Sequence, residues 1–129
     1  MGSYKDVTAW QKAMELANAT YDVVDEFPRS ELYGLSAQMR SAAVSIASNI
    51  AEGKGRGTDR DYRYFVIRAR GSIFELETQI ELAKRRQFID DETAAALLKQ
   101  SADVGGKVGA LIKYLDGCIR KAQRLTPNA

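Results

Sequence analysis

The sequence of 129 residues has no histidine, one cysteine and two prolines. Without histidine, the chain lacks both the usual general base near neutral pH and the commonest zinc ligand. The lone Cys118 cannot form a disulfide within the chain, which favours a reducing, cytoplasmic location. These shortages exclude Ser-His-Asp catalysis, Cys-His catalysis and nearly all transition-metal sites. We therefore expect no catalytic residues, no metal, no cofactor and no small-molecule substrate.

Long apolar runs are missing as well. No uncharged apolar stretch approaches the roughly 18–20 residues of a membrane-spanning helix, and no apolar segment near the N-terminus resembles a secretory signal. We therefore expect neither membrane association nor secretion. The chain is long enough to bury a core without disulfides or metals, and we expect one domain over residues 1–129.

The charge is small overall but uneven along the sequence. The formal net charge is +2, yet residues 1–30 carry three basic and five acidic side chains. Residues 54–70 carry six basic and two acidic side chains, a net of +4. This local excess is the strongest electrostatic asymmetry in the sequence, and it indicates an anionic partner.

The segment from Ser41 to Gly57 is the most informative part of the sequence. Its first eleven residues carry no charged side chain, although 28% of all residues are charged. Such a helix is expected to be buried on nearly all sides. Gly53, Gly55 and Gly57 then end the helix and begin a basic loop, where they would let the backbone come close to a phosphate.

Apolar periodicity predicts four helices joined by short turns, at about residues 4–26, 36–53, 58–86 and 91–124. Heptad spacing and short connections favour an all-α, antiparallel up-down-up-down four-helix bundle with crossing angles of about +20°. In the last helix, Cys118 falls on the core line. The core positions predicted for the first helix are Val7, Trp10, Met14, Ala17, Tyr21 and Val24.

The third predicted helix carries a stripe that combines charge with apolar surface. At 100° per residue, Arg60, Arg63 and Arg70 fall on one side of the helix, with Ile67 and Phe74 among them. Two isolated surface hydrophobes are one explanation, since such residues are common. The other is contact with a second subunit or a ligand, so Ile67 and Phe74 are candidate oligomer-interface residues.

The fourth predicted helix contains Gly105, Gly106 and Gly109 within five residues. Each glycine costs about 1 kcal/mol relative to alanine inside a helix. Such a cost is tolerated where a neighbouring backbone needs close approach, and the alternative is a kinked or loosely formed helix. The spacing places Gly105 and Gly109 on one face, and they are further candidate interface residues of a homo-oligomer.

The basic segment is the best candidate for a nucleic-acid surface. Its cations can contact phosphates, and Tyr62 and Tyr64 among them can stack on unpaired bases. The alternative is a solvated helix face balanced by Asp59 and Asp61. The candidate nucleic-acid-binding residues are Lys54, Arg56, Arg60, Arg63, Arg68 and Arg70.

Three polar residues, Asn49, Glu52 and Arg56, lie along one side of the end of the second helix. A polar site with Glu52 as a base is one interpretation. The structural interpretation is preferred, in which Asn49 sets the helix register and Glu52 pairs with an arginine or a backbone amide.

Several motifs together resemble a known bacterial family. The YGLxxQ segment from Tyr33 to Gln38 and the NIAEG segment from Asn49 to Gly53 are the most specific of them. Over roughly residues 5–120, the pattern resembles the four-helix-bundle proteins known from 23S ribosomal RNA intervening sequences. Phe27-Pro28, Gly71-Ser72 and Phe88-Ile89 also match this family.

That family is similar to the accessory protein of diversity-generating retroelements, a homopentamer of four-helix bundles that engages nucleic acid and reverse transcriptase. The resemblance implies a cytoplasmic, non-enzymatic homopentamer. Together with the basic segment, it leads to the hypothesis of a helical scaffold that binds RNA or DNA. The alternative is a protein-interaction scaffold without nucleic-acid binding, in which the arginine stripe is buried between subunits.

Overall fold

The computed structural model describes residues 2–125, which form an all-helical chain. No β-strand occurs within this range, so the predicted all-α class with four helices is confirmed. Single-turn 3₁₀ helices precede the first and second α-helices, at Tyr4–Asp6 and Arg29–Glu31. The α-helices are α1 Thr8–Val24, α2 Leu35–Lys54, α3 Asp59–Arg85 and α4 Asp91–Leu125.

Each α-helix packs against two others. Both α1 and α3 contact α2 and α4, so the four helices enclose one hydrophobic core. Burying a leucine or isoleucine side chain in such a core stabilises the fold by about 1.5–3 kcal/mol. The fully buried large side chains come from all four helices and include Leu16, Met39, Ile46, Ile50, Ile73, Leu76, Ile80, Val104 and Leu115.

The core face of α1 consists mainly of small residues. Ala9, Ala13 and Ala17 are buried, whereas Met14 and Tyr21 are 41% and 43% exposed. The predicted core positions of Met14 and Tyr21 are therefore wrong. That prediction followed the large apolar residues of the helix, but the packing uses its alanine face, which lets the neighbouring helices approach closely. Met14 and Tyr21 are left on the outside, while Leu16 is the large side chain that α1 places in the core.

α2 is not buried on all sides within the single chain. Ser41, Val44 and Ser48 are exposed at helical spacing and form an uncharged strip along α2. The predicted all-round burial is therefore wrong for one chain, because a helix with two neighbours keeps one side open. The lack of charge on this open strip needs a different explanation.

Side-chain caps fix where α3 and α4 begin. The Asp61 amide donates to Thr58 Oγ1 at 3.2 Å, while Asp59 and Asp61 place negative charge at the positive end of the α3 dipole. Before α4, the Thr93 amide donates to Asp90 Oδ1 at 2.7 Å. Hydrogen bonding to Thr93 holds the pKa of Asp90 below its ordinary value.

Gly53 sets the spacing between α2 and α3. It is buried in the last turn of α2, and a Cβ atom there would lie 2.8 Å from Phe65 Cβ and 3.0 Å from the carbonyl oxygen of Tyr62. Non-bonded carbon atoms normally stay about 3.5–4.0 Å apart, so only glycine fits without a shift. The predicted role of Gly53 in a phosphate-binding loop is wrong, because α3 covers it.

Gly53→Ala is expected to lower the thermal unfolding midpoint. The added methyl group overlaps Phe65 and the α3 backbone, and overpacking of this kind costs about 1–3 kcal/mol. Gly71→Ala is the matched control, because a Cβ at this position in α3 meets no atom within 4 Å. It is expected to gain up to about 1 kcal/mol from helix propensity. Circular dichroism melts at equal protein concentration measure both, and an unchanged midpoint for Gly53→Ala would contradict the close packing.

Candidate nucleic-acid interface

The basic loop between α2 and α3 turns sharply onto the start of α3. Gly57 adopts a φ of 90°, a left-handed backbone that residues with side chains rarely adopt. Thr58 then caps α3, so only residues 55–58 separate the two helices. Lys54 and Arg56 are thereby held beside the first turns of α3.

Both cations of this loop lie over aromatic rings of α3. Lys54 Nζ is 5.8 Å from the centre of the Tyr62 ring, and Arg56 Cζ is 4.7 Å from that of Phe65. A cation over a ring face gains about 0.5–1 kcal/mol at an exposed site. Burial raises the pKa of the Tyr62 phenol above its ordinary value.

Arg68 lies one helical turn after Tyr64 on α3, and both residues are exposed. Arg68 Cζ is 5.8 Å from the centre of the Tyr64 ring and 5.9 Å from that of Phe65. Arg68 Nη1 also donates to Tyr64 Oη at 3.4 Å. Aromatic rings therefore hold this guanidinium on the helix surface.

Two of the six candidate cations are paired with carboxylates. Arg56 Nη2 donates to Glu52 Oε1 of α2 at 2.6 Å, which confirms the predicted pairing of Glu52 with an arginine. Arg63 Nε donates to Asp116 Oδ1, and this pair joins α3 to α4. Arg56 and Arg63 thus serve the fold at the same time as they contribute positive charge.

Arg60 and Arg70 are the most available of the candidate cations. Both are exposed, and neither forms an ion pair within residues 2–125. The nearby Asp59 and Asp61 belong to the first turn of α3, where they also stabilise the helix terminus. The positive charges of Arg60 and Arg70 are therefore not balanced by a carboxylate contact within the described residues.

The end of α4 adds a second basic segment that was absent from the sequence prediction. The Arg63–Asp116 pair places Asp116, which lies within residues 113–124, beside Arg63 near the start of α3. This segment has four basic side chains and one acidic side chain, so its positive charge could have been recognised from the sequence. Only the fold shows that it lies near residues 54–70. Its cations, all exposed, are Lys113, Arg120, Lys121 and Arg124.

Tyr114 belongs to this second segment. Its pKa is raised, chiefly by a hydrogen bond with the Cys118 side chain, and the negative charge of Asp59 adds to the increase. Cys118 itself is half-buried, so its predicted burial in the core is wrong.

Asn49 makes its polar contacts within α2. Its side-chain nitrogen donates to the Ser45 carbonyl oxygen at 2.8 Å and lies 3.0 Å from Ser45 Oγ. Ser45 Oγ is in turn 2.9 Å from Ser72 Oγ on α3. The polar link that fixes the register between α2 and α3 is therefore the Ser45–Ser72 bond, with Asn49 supporting it.

The four candidate interface residues differ in accessibility. Ile67 is half-buried and packs against the core of its own chain, whereas Phe74 is 59% exposed. Gly105 is half-buried and Gly109 is exposed, and a Cβ at either would meet no atom within 4 Å. Close packing inside the chain therefore does not account for these two glycines.

An apolar groove between α1 and α2 is a further surface feature, with a volume of about 400 Å³. Several of the residues that line this groove are the large apolar residues of α1 that the heptad pattern predicted to lie in the core. The large apolar or aromatic lining residues are Tyr4, Trp10, Met14, Tyr21 and Val44, and the remaining ones are Ala17, Asn18, Ala47, Ser48 and Ala51.

The sequence profile of the 23S rRNA-intervening sequence protein family matches residues 5–110. The chain belongs to this family. The resemblance seen in the YGLxxQ and NIAEG motifs is thereby confirmed. No curated protein matches the chain.

A similar fold has been seen in a crystal structure at 1.70 Å resolution from Bacteroides thetaiotaomicron VPI-5482, described as a protein of unknown function from the S23 ribosomal protein family. It matches this chain with a TM-score of 0.77 and 20% sequence identity. The match covers 82% of this chain and 99% of the other. At this identity, the likeness shows a shared fold.

In this 23S rRNA-intervening sequence family member, no helix within residues 2–125 has the length and apolar character needed to cross a bilayer. Within the same range, no three potential ligand side chains gather into a metal-binding group. Three surface features are not explained by packing within the chain: the two basic segments, the α1–α2 groove, and Gly105 and Gly109 of α4.

The coupling energy of the Arg63–Asp116 pair measures how much Arg63 contributes to the stability of the fold. The two side chains are 39% and 35% exposed, so solvent screens the pair and we expect a coupling energy of no more than about 1 kcal/mol. A double-mutant cycle with Arg63→Gln and Asp116→Asn, followed by urea unfolding, measures this energy. A coupling above about 2 kcal/mol would show that Arg63 acts mainly as a structural residue.

Proposed function

We propose that this chain is a non-enzymatic, homo-oligomeric helical scaffold of the cytoplasm that binds RNA or DNA. The binding surface is the basic end of the molecule, defined as residues 54–70 and 113–124. One observation carries the proposal. The Arg63–Asp116 pair brings the two basic segments together, while Arg60 and Arg70 make no ion pair within the described residues.

The contacts between helices support an antiparallel arrangement. Gly53, in the last turn of α2, lies against the first turns of α3. Arg63, near the start of α3, contacts Asp116, near the end of α4. The rings of Phe27 and Phe88, which follow α1 and α3, lie 5.5 Å apart. We infer an up-down-up-down bundle, in which the ends of α2 and α4 flank the start of α3.

Charge is concentrated at the basic end. Its two segments carry ten basic and three acidic side chains, whereas the remaining residues carry nine basic and fourteen acidic ones. A nucleic acid binds such a surface by exchanging condensed counterions for protein cations, so its affinity falls as salt rises. An oligomer that repeats the basic end would contact several phosphates of one strand, and avidity would strengthen the binding.

Arg60→Glu combined with Arg70→Glu is expected to weaken nucleic-acid binding at least tenfold at about 100 mM salt, because both available arginines become repulsive. Fluorescence anisotropy with a labelled RNA of about 20 nucleotides measures the affinity. The slope of log affinity against log salt should also become shallower by about 1.4, since each phosphate contact on a single strand contributes about 0.7.

The matched control for this variant combines Arg29→Glu with Lys99→Glu. Both residues are exposed and lie outside the basic end, so the net charge changes equally while binding stays within about twofold. The result that overturns the proposal is the absence of salt-sensitive binding of RNA and of DNA by the unaltered protein.

The proposed oligomer accounts for two uncovered surfaces. One is the apolar groove between α1 and α2, which includes Val44 and Ser48 of the uncharged strip, and the other is the face of α4 that carries Gly105 and Gly109. Exposed apolar patches on soluble proteins commonly mark protein contacts. Unlike surfaces that meet head to tail can close into a ring, and the family resemblance favours a ring of five.

A scaffold without nucleic-acid binding is the competing interpretation. Exposed Phe74 on the arginine stripe favours it, because a subunit contact would cover that ring. Ile67 weighs against it, since this side chain packs against the core of its own chain. If the double variant at Arg60 and Arg70 breaks the oligomer apart, the competing interpretation replaces ours.

Tyr21→Glu is expected to dissociate the oligomer, because it places a charge in the apolar groove. Light scattering of the unaltered protein should give about five times the 14.3 kDa chain mass, and the variant should approach one chain mass. Tyr33→Glu is the control, since Tyr33 is 92% exposed and lies outside the groove. A monomeric unaltered protein at micromolar concentration contradicts the proposed assembly.

A further inference from the structure

Cations and aromatic rings lie together at the end of α2, in the loop after it and on the first half of α3. Four contacts between a cation and a ring centre, at 4.7–5.9 Å, fall within residues 54–68. Three of the four contacts involve the residues described next.

Four side chains form what we call the Tyr64 cluster: Tyr64, Phe65, Arg56 and Arg68. The rings of Tyr64 and Phe65 meet edge to face, with centres 5.2 Å apart and planes at 87°. Arg68 lies near both rings, at 5.8 and 5.9 Å, and Arg56 lies over Phe65 at 4.7 Å. The rings and guanidinium groups thus alternate across the surface.

Two side chains of the Tyr64 cluster are held by contacts within the fold, and the other two are exposed to a ligand. Phe65 is half-buried and Arg56 is paired with Glu52, so these two side chains are held by the fold. Tyr64 is 56% exposed. Arg68 is exposed as well, and it forms no ion pair within the described residues. A flat aromatic surface and an unneutralised guanidinium therefore project side by side.

An exposed ring beside a free guanidinium suits a nucleotide whose base is unpaired. A base can stack on the ring while the guanidinium holds a neighbouring phosphate. A duplex offers the phosphates alone, because its base faces are already covered by the adjacent base pairs. Simple charge attraction at Arg60 and Arg70 makes no such distinction between strands.

We propose that the Tyr64 cluster binds an unpaired nucleotide of RNA or DNA, with the base stacked on Tyr64 and the phosphate bound by Arg68. This inference rests on the proposed function and gives it a substrate class, single-stranded nucleic acid. Sequence preference is weak in such a site, since every base has a flat face to stack.

The test compares three labelled probes of about 20 nucleotides or base pairs at one salt concentration: an RNA strand, the DNA strand of the same sequence, and its DNA duplex. The unaltered protein should bind the single strands at least about fivefold more tightly than the duplex. Tyr64→Ala should weaken single-strand binding at least about fivefold and duplex binding less than about twofold. The salt slope should stay unchanged, because no charge is removed.

Three variants serve as controls. Tyr64→Phe keeps the ring and should bind like the unaltered protein, while Tyr64→Leu keeps apolar bulk without a ring and should behave like Tyr64→Ala. Tyr33→Ala removes another exposed tyrosine outside the basic end and should change nothing. Circular dichroism verifies that each variant is folded.

The outcomes separate this inference from the proposed function. Salt-sensitive binding with equal affinity for single strands and duplex overturns the inference and leaves the proposed function standing. An equal loss on all probes with Tyr64→Ala also overturns it. If no probe binds at any salt concentration, both fail. The two single-stranded probes show whether RNA or DNA is the preferred source of the unpaired nucleotide.

Discussion

The arrangement of the basic end depends on the direct contact between Gly53 and α3. Because residue 53 has no side chain, the last turn of α2 rests against Phe65 and the backbone of Tyr62. The chain leaves α2 at this contact and reverses through the turn at Gly57, where φ is 90°. A larger residue at position 53 would push the two helices apart and move the loop cations away from the rings that hold them.

The same packing decides which cations remain available. Arg56 and Arg63 are paired with the carboxylates of Glu52 and Asp116, whereas Arg60 and Arg70 have no such partner within the described residues. Rings hold other cations in place while leaving their charge free, as at Arg68. A surface that carries both kinds of support is ordered before a ligand arrives, so binding orders fewer side chains and loses less entropy.

Local spacing explains why the fold class was predictable and why some faces were not. Four apolar repeats with short turns fix four helices, because that pattern depends only on neighbouring residues. The inner face of α1 depends on what packs against it, and its alanine face displaced the larger Met14 and Tyr21. The contribution of α4 rests on a contact between residues 53 positions apart, Arg63 and Asp116, which no local pattern indicates.

The central claim of the proposal is that nucleic acid binds at the basic end of the molecule. Photo-cross-linking of the unaltered protein to a thiouridine-labelled single-stranded RNA, followed by mass spectrometry of the linked peptides, tests it most directly. The account predicts cross-links within residues 54–70 and 113–124, with Tyr64 among the linked positions. Cross-links confined to α1 or to the groove between α1 and α2 would contradict it.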